Sequence, residues 1–494
     1  MSHVQTSSSY LPQPQGPVWI AGAGVSGRGA ADIATQLGWS VCIIDSNFTA
    51  ASELADRHGG SAMTVVEALS RLDEASLIVT SPGWRPDTPL LHDAQAQGIP
   101  VIGDVELAWC ADRDGRFGQP RTWLAVTGTN GKTTATAMLA TMMVESGAAA
   151  EAVGNIGVAV GTALTQTPRV SVMVAELSSF QLHWSPTLTP DAGVVLNLAE
   201  DHIDWHGSMD AYAADKARVY RGPVIVLNAD DERVCREAEQ YVELSSISSS
   251  TTSSFSGDSP RRRVIEFTMG EPRPGQVGVI DGRIVDRSCV PAHSEGVDIT
   301  DATRISPPGP AGVADALAAT AIARSQGVEA DAIARALSSF VVEKHRGQVV
   351  YEAGEIRWID NSKATNPHAT DAALSAVESC VWIAGGQLKG AQIDDLIHKN
   401  ADRISAAVVL GQDREIIRQS LATVHPRIPL TVITSTDPVI AMNEAVQAAS
   451  RLAQPGDTVL LAPAAASLDM YTGMSQRGDL FAEAARRYGR GTEG

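Results

Sequence analysis

The sequence predicts an α/β protein of three tandem domains, and three observations carry that expectation. The chain has 494 residues, about three times a domain of roughly 150 residues. Short runs rich in Val, Ile and Leu alternate with helix-compatible stretches along its length, the pattern of strands covered by helices on both faces. Two of those runs end in Gly-rich turns that lead into a helix, the connection at which strand-end ligand sites are built.

Composition narrows the function classes. Lys and Arg number 38 against 57 Asp and Glu, a net charge of −19, and there is no long basic run. Nucleic acid and anionic membrane surfaces are therefore excluded as expected partners, whereas a small anionic ligand stays compatible because a local pocket can oppose the global field. No apolar stretch approaches the roughly 20 residues of a membrane helix, and the start "MSHVQTSSSYLPQPQGP" lacks the apolar core of a signal peptide. A cytoplasmic location without membrane insertion is expected. The five cysteines, Cys42, Cys110, Cys235, Cys289 and Cys380, are scattered and odd in number, which predicts buried free thiols, not a disulfide framework or a zinc site.

The elements follow in order. After a polar tail over residues 1–16, expected to be flexible, "PVWIAGAGVSGRGAADIATQLGWSVCIID" reads as strand, tight Gly turn, helix and strand. The runs "LIVTSPG" and "IPVIGD" extend this into a Rossmann-like domain over residues 17–118, with a break near "DRDGRFGQPRT". A second series begins at "TWLAVTGTNGKTT" and continues through "SVMVAELSS", "DAGVVLNLAEDH" and "GPVIVLNADD", giving a central domain over residues 119–341. It is interrupted at about 245–262 by a Ser/Thr-rich insert that cannot bury enough apolar area to offset ordering, so a mobile surface loop is expected there. The third series, "EIRWIDNSKATNP", "CVWIAGGQLKG", "ISAAVVLG", "PLTVITS" and "GDTVLLAPAAASLDMY", makes a C-terminal Rossmann-like domain over residues 342–494. Short repeats and coiled-coil heptads are absent from the sequence.

The central domain opens on Gly128, Thr129, Asn130, Gly131, Lys132, Thr133 and Thr134, between an apolar run and the helix-like "ATAMLATMM". Such a loop offers backbone N–H groups and the positive end of a helix dipole to phosphate oxygens. Gly128 and Gly131 allow close approach, Lys132 supplies charge to terminal phosphates and the Thr133 hydroxyl suits Mg²⁺. The strict pattern G-x-x-x-x-G-K-[ST] fails, since its first glycine falls on Val126. Strand before and helix after still favour a nucleotide-binding P-loop over a capped turn with an exposed lysine. In the first domain Gly22, Gly24 and Gly27 match G-x-G-x-x-G, with Asp45 closing the next strand. A nicotinamide dinucleotide, another diphosphate such as that of a UDP-sugar, and ligand-free helix–strand packing all fit that turn.

Two further stretches are dense in polar groups, "AELSSFQL" and "NLAEDHIDWHGSMDAYAADKARVY". Glu176 at a strand end can ligate Mg²⁺ through oxygen, and His202 can support a second ion or a phosphate. The bland alternatives are a solvated charge for Glu176, a surface position for His206 and an exposed Lys216 on a polar helix face.

Taken together, "GTNGKTT", "ELSSFQL", "NLAEDHIDWHG", "KARVY", the pair His345 and Arg346, and "SKATNP" resemble the Mur ligases, ATP-dependent amide-forming enzymes of peptidoglycan precursor synthesis. "SKATN", "GGQLKG" and "APAAASLDMYTGMSQRGDLF" are similar to the branch that adds D-glutamate. The resemblance implies that ATP phosphorylates the carboxylate of UDP-N-acetylmuramoyl-L-alanine, that the amine of D-glutamate attacks the acyl phosphate, and that phosphate then leaves. It implies ATP and Mg²⁺ as cofactors, and catalytic roles for Lys132, Glu176, His202 and Lys216. Thr133, Glu176 and His202 would be metal ligands, joined by Lys216 once carbamylated into an anionic oxygen donor. ATP would meet residues 128–134, Arg346 and Asn361. The UDP substrate would meet Gly24, Val25, Ser26, Gly27, Asp45, Ser81, Pro82 and Gly83; Asn155, in "GNIG", matches a position near the phosphates and counts among the same contacts. Lys363, Thr365, Lys389, Ser467 and Leu468 would surround D-glutamate.

The chain departs from the family in three places. The adenine-side "HN" motif is replaced by "PPGPAGVADALAATA", the acid before "SK" is Asn361 with Asp360 one residue earlier, and the large apolar residue after "SLD" is represented by Tyr471 or Met474. A nicotinamide-dependent oxidoreductase would leave the GKT loop idle. A sibling ligase adding another amino acid, a folyl-polyglutamate-type enzyme and an ATP-gated binding protein are the other readings. A monomer is expected.

Overall fold

The computed structural model describes residues 9–247, 262–291, 294–342 and 344–489. The first eight residues of the expected tail and nearly all of the Ser/Thr-rich insert lie outside the described residues. The chain divides into two compact units, Met1–Thr300 with Asp315–Leu337, and Asp301–Ala314 with Ser338–Gly494.

The first unit holds two sheets. One is wholly parallel and contains β1 (Val18–Ala21), β2 (Val41–Ile44), β3 (Ser61–Met63), β4 (Leu77–Thr80) and β5 (Val101–Gly103) in the order 3-2-1-4-5. Its strands are short and apolar because helices cover both faces: Val18 and Ile20 pack into one core layer, Trp19 and Ala21 into the other. The strand order reverses between β1 and β4, and the crevice outside their carboxyl ends is where an open α/β sheet binds ligands.

The second sheet runs β6 (Thr122–Thr127), β7 (Ala150–Gly154), β8 (Val172–Glu176), β9 (Ala192–Val195), β10 (Val224–Asn228), β11 (Arg263–Phe267), β12 (Gln276–Ile280), β13 (Arg283–Asp286) and β14 (Val297–Asp301), in the order 14-13-12-11-10-9-6-8-7. From β7 to β12 every pairing is parallel, and β12 to β13 is antiparallel. That hairpin was legible: "VIDGRI" is a two-residue Asp-Gly turn, and Asp281 and Gly282 take φ of 48° and 74°, as such a turn demands.

A continuous core passes from the first sheet's helices to the second sheet. The helices Val25–Gln36 and Val160–Thr165 cross at Gly29 and Gly161, where a Cβ on Gly29 would stand 3.3 Å from the Gly161 Cα and one on Gly161 would overlap the Gly29 carbonyl. Beneath this crossing the buried Asp112 carboxylate takes Arg121 Nη1 at 2.6 Å, the Arg121 backbone N–H at 2.8 Å and Trp123 Nε1 at 2.9 Å. Glu106 accepts from the backbone N–H groups of Thr187 at 2.9 Å and Leu188 at 3.2 Å. Buried carboxylates with both oxygens hydrogen-bonded fix orientation more than they add stability.

The second unit contains β15 (Gln348–Ala353), β16 (Ile356–Asp360), β17 (Cys380–Gly385), β18 (Ile404–Leu410), β19 (Leu430–Val432) and β20 (Thr458–Leu461), in the order 15-16-20-17-18-19. Only the β15–β16 pairing is antiparallel. Along β17 Trp382 and Ala384 face one core layer while Val381 and Ile383 face the other, the period of two that a doubly covered strand requires.

All five cysteines are unpaired; Cys42, Cys110 and Cys380 are buried as expected, whereas Cys235 and Cys289 are only half-buried.

Replacing Gly161 by Ala forces the two helices apart, and chemical denaturation should register a loss of about 1–3 kcal/mol, whereas Gly147→Ala, with open space around it, tests only its positive φ. Equal midpoints for wild type and Gly161→Ala would show that the crossing is not close.

Candidate active site

The phosphate loop forms where β6 ends. Gly128 (φ 152°) and Gly131 (φ 83°) take backbone angles that favour glycine, and a Cβ on Gly131 would run into the Asp315 carboxylate. Gly131 caps the helix Lys132–Glu145, whose first N–H groups face the loop. The loop is held open from beside it: Asn130 N–H donates to Asn197 Oδ1 at 2.9 Å, Asn197 Nδ2 returns a bond to the Asn130 carbonyl at 3.1 Å, and Thr129 Oγ1 pairs with Tyr212 Oη at 3.0 Å.

Five of the expected polar residues meet here. Lys132 Nζ donates to the carbonyls of Gly128 (3.0 Å) and Thr129 (2.9 Å). Glu176, at the end of β8 and 1% exposed, accepts from Thr133 Oγ1 at 2.8 Å and from Asn155 Nδ2 at 2.8 Å. Lys216 is 2% exposed, donates to the Gly128 carbonyl at 2.8 Å and lies 4.7 Å from the centroid of the Tyr212 ring. The bland alternatives of a solvated Glu176 and an exposed Lys216 therefore fail, because both side chains are buried beside the loop. Asn155 stands on the loop's side through its bond to Glu176.

Burial pushes the Lys216 ammonium well below the usual lysine range and the Lys132 charge pushes it further, against Asp201, Glu176 and Asp215. His202 sits in a left-handed turn (φ 54°) with Nε2 3.5 Å from Asp201 Oδ2. Its pKa is lowered, first by burial and then by Lys216 and Lys132, with Asp201 opposing. His206 is no surface residue either: its ring is buried against Phe180 and bonded to Ser179 and Asp215.

At the switch point of the first sheet Gly22 takes φ 110°, and a Cβ on it would stand 3.0 Å from Ser81 Cβ. A Cβ on Gly27 would overlap the Gly22 carbonyl, so the turn and the helix Val25–Gln36 touch backbone to backbone. Asp45 accepts from the Ala23 N–H at 2.8 Å and the Asn47 N–H at 2.9 Å. Gly24, Val25, Ser26, Asp45 and the Ser81–Pro82–Gly83 turn thus gather at the ends of β1, β2 and β4. Ser81 Oγ and Asp104 Oδ1 are buried without a hydrogen-bond partner. Burial raises Asp104 to about 6, with Ser26 nearby opposing the rise.

In the second unit the loops after β16, β20 and β17 are neighbours. Lys363 and Thr365 follow β16, Lys389 (φ 53°) follows β17, and Ser467 and Leu468 follow β20, Ser467 buried and Leu468 68% exposed. Arg477 binds the three loop roots together, Nη1 to the carbonyls of Gly385 (3.3 Å) and Ala465 (3.1 Å) and Nη2 to that of Ser362 (2.8 Å). His345 Nδ1 stands 2.6 Å from Asp360 Oδ2, and Asp360 Oδ1 accepts from the Ser362 N–H at 3.0 Å. The early acid thus serves His345, next to Arg346, while the Asn361 N–H donates to the Leu461 carbonyl at 2.9 Å. Tyr471 is buried and Met474 partly exposed.

Sequence reasoning missed Asp315, Asn197, Tyr212, Asp215, Asp104 and Arg477. Asp315 left a signal, as a lone carboxylate in the Ala-rich "VADALAATA", and so did Tyr212, four residues before Lys216 on one helix face. The others needed the fold.

Three family models match the chain: a Mur ligase MurD-like N-terminal domain over residues 17–103, a Mur ligase middle domain over 126–268, and a Mur ligase glutamate ligase domain over 345–465. The UDP-N-acetylmuramoylalanine–D-glutamate ligase of Corynebacterium efficiens is 54% identical, covering 98% of this chain and 97% of that protein. The chain belongs to the Mur ligase family. A second ligase of the same name, from Corynebacterium diphtheriae, is 51% identical over 98% of both chains. Among solved structures, MurF from Acinetobacter baumannii has a TM-score of 0.58 at 15% identity, covering 90% of this chain and 91% of its own. The UDP-N-acetylmuramate-alanine ligase MurC of Thermotoga maritima has 0.54 at 16%, covering 96% and 99%. The Mur ligase fold is thus shared at identities too low to carry more than the fold. Membership makes this an ATP-dependent ligase, so the rival oxidoreductase and binding-protein readings fall away. Among the described residues no helix is long and apolar enough to cross a membrane.

Asp104 supplies a pH test. Its folded pKa of about 6 lies above its unfolded value near 4, so the native state binds the extra proton and stability from this group falls as pH rises from about 4 to 6. Asp104→Asn should therefore gain on the order of 2 kcal/mol relative to wild type between pH 3 and pH 7. A difference in unfolding free energy that stays level across that range would refute the shift.

Proposed function

We propose that this protein joins D-glutamate to UDP-N-acetylmuramoyl-L-alanine, using ATP, in peptidoglycan precursor synthesis. One observation carries the reading: identities of 54% and 51% run across 98% of the chain with two ligases named for that reaction. The γ-phosphoryl group of ATP passes to the substrate carboxylate. The amine of D-glutamate then bonds to the acyl carbon, its nitrogen gives up a proton to the departing phosphate or to water, and the carbon–oxygen bond to phosphate breaks as the tetrahedral intermediate collapses. Phosphate leaves an acyl carbon far more readily than oxide does, which is why activation precedes attack.

The chain's own groups account for the first step. N–H groups of residues 128–134 cradle the phosphates, and Lys132 turns from the Gly128 and Thr129 carbonyls to the transferring oxygens, where preorganised charge lowers the barrier. Thr133 and Glu176 fit Mg²⁺, being hard oxygen donors side by side. Among the described residues no cluster of three or more His, Cys, Asp or Glu side chains stands ready for a metal. Mg²⁺ at this place would complete its shell with phosphate oxygens and water, its usual habit, and offset negative charge on the phosphoryl group.

Lys216 fits carbamylation. Its depressed pKa favours the neutral amine, whose lone pair bonds to the carbon of CO₂ while one proton leaves to solvent. The carbamate nitrogen retains an N–H for the Gly128 carbonyl. His202, whose pKa burial lowers first of all, is available to a second ion. The Gly22–Gly27 turn, Asp45 and Ser81–Gly83 would take the UDP group, and Lys363, Thr365, Lys389, Ser467 and Leu468 the D-glutamate, whose two carboxylates suit two ammonium groups. The reading includes a monomeric cytoplasmic enzyme, and a single monomer mass by light scattering is the expected result.

Purified protein with Mg²⁺, ATP and UDP-N-acetylmuramoyl-L-alanine should release phosphate with D-glutamate and not with L-glutamate, L-alanine or a diamino acid. Release with another amine would keep the chemistry and reassign the second unit. Lys132→Ala should lower kcat by about 10²–10³ and leave binding of the UDP substrate within about twofold of wild type; joint loss of both would sink the assignment of separate sites.

A further inference from the structure

Three of the side chains read as facing the triphosphate come from three separate pieces of chain: Glu176 from the end of β8, His202 from the turn before the short helix Ile203–His206, and Lys216 from the helix Met209–Ala217. A single carboxylate joins all three. Asp215 Oδ2 lies 2.9 Å from Nδ1 of His183, on the helix that follows Glu176, and 3.0 Å from Nδ1 of His206, on the helix that His202 caps. Asp215 Oδ1 pairs with Arg218 Nη2 at 2.9 Å, and Asp215 itself precedes Lys216. His206 closes the circuit, with Nε2 2.9 Å from Ser179 Oγ on the same helix as His183.

The array is packed as well as bonded. The His206 ring lies parallel to Phe180, 8° apart with centroids at 5.6 Å, and edge-on to Tyr212, whose hydroxyl holds Thr129 of the loop. Asp215 and Ser179 are buried. A Ser–His–Asp chain of these distances has the look of a hydrolytic triad, but Ser179 opens a helix and is buried, so it is placed to be held and not to attack a substrate.

We propose that Asp215, acting through His206 and His183, is the positioning residue that sets the mutual placement of Glu176, His202 and Lys216 around the triphosphate. Each hydrogen bond fixes one backbone segment, and a group misplaced by about 1 Å costs up to 10²-fold in a site of this kind. The inference rests on the ATP reading of the loop, and its test is chosen to separate the two.

Calorimetry of the full-length protein with a non-hydrolysable ATP analogue and Mg²⁺, and separately with UDP-N-acetylmuramoyl-L-alanine, gives a Kd and a stoichiometry for each. Misfolding lowers the stoichiometry and leaves Kd alone, whereas misplacement raises Kd at constant stoichiometry. Asp215→Asn should weaken the ATP analogue about tenfold or more with the UDP-substrate Kd held within about twofold. Should Asp215→Asn not fold, His206→Phe, which keeps a ring against Phe180 but cuts both hydrogen bonds, should give the same split. An unchanged Kd for the analogue, or equal weakening of both ligands, would overturn the proposal. Failure of the wild-type protein to bind the analogue would instead sink the ATP reading itself.

Discussion

A strand covered by helices on both faces has little room for polar side chains along its length, so a parallel sheet concentrates its chemistry where the strands stop. At the carboxyl ends the following helices begin, and their free N–H groups and dipoles favour anions. This constraint organises all three sheets. Gly22 and Ser81 stand at the switch point of the first, Gly128 and Glu176 at adjoining strand ends of the second, and Ser362, Gly385 and Ala465 at three neighbouring ends of the third.

Within the first unit that geometry creates an electrostatic problem. Lys132 and Lys216 share the carbonyl of Gly128, one of them fully buried, in a protein whose overall charge is −19. Two like charges at one oxygen are unstable unless one gives up its proton or an anion arrives, and both routes suit a phosphate site. Glu176 meets the mirror problem with neutral donors, Thr133 and Asn155, at its two oxygens.

Rigidity is distributed to match. The Gly29–Gly161 crossing and the Asp112–Arg121–Trp123 knot join the first sheet to the second inside one unit. In the second unit the Arg477 guanidinium gathers three loop roots whose tips carry Lys363, Lys389 and Ser467. Both devices place buried arginine forks on carbonyls or carboxylates, where their planar geometry fixes orientation as well as distance.

Much of this was legible in one dimension. The apolar runs, the glycines that permit left-handed turns and the GKT loop are local properties, set by backbone sterics and strand burial, and they located β1, β6, β8 and the polar residues at their ends. The hairpin turn at Asp281 and Gly282 was equally local and was passed over. What tertiary structure alone decided is which distant groups become neighbours. For Lys216 and Glu176 the sequence left a surface charge open beside a site role until the fold buries both near the loop, because burial depends on elements some forty and ninety residues away. Asp215, His206 and Ser179 carry no spacing that announces a circuit, and Arg477 no motif that announces three loops. Such contacts cross the sheet and its covering helices, so they exist only once the chain has closed around its core.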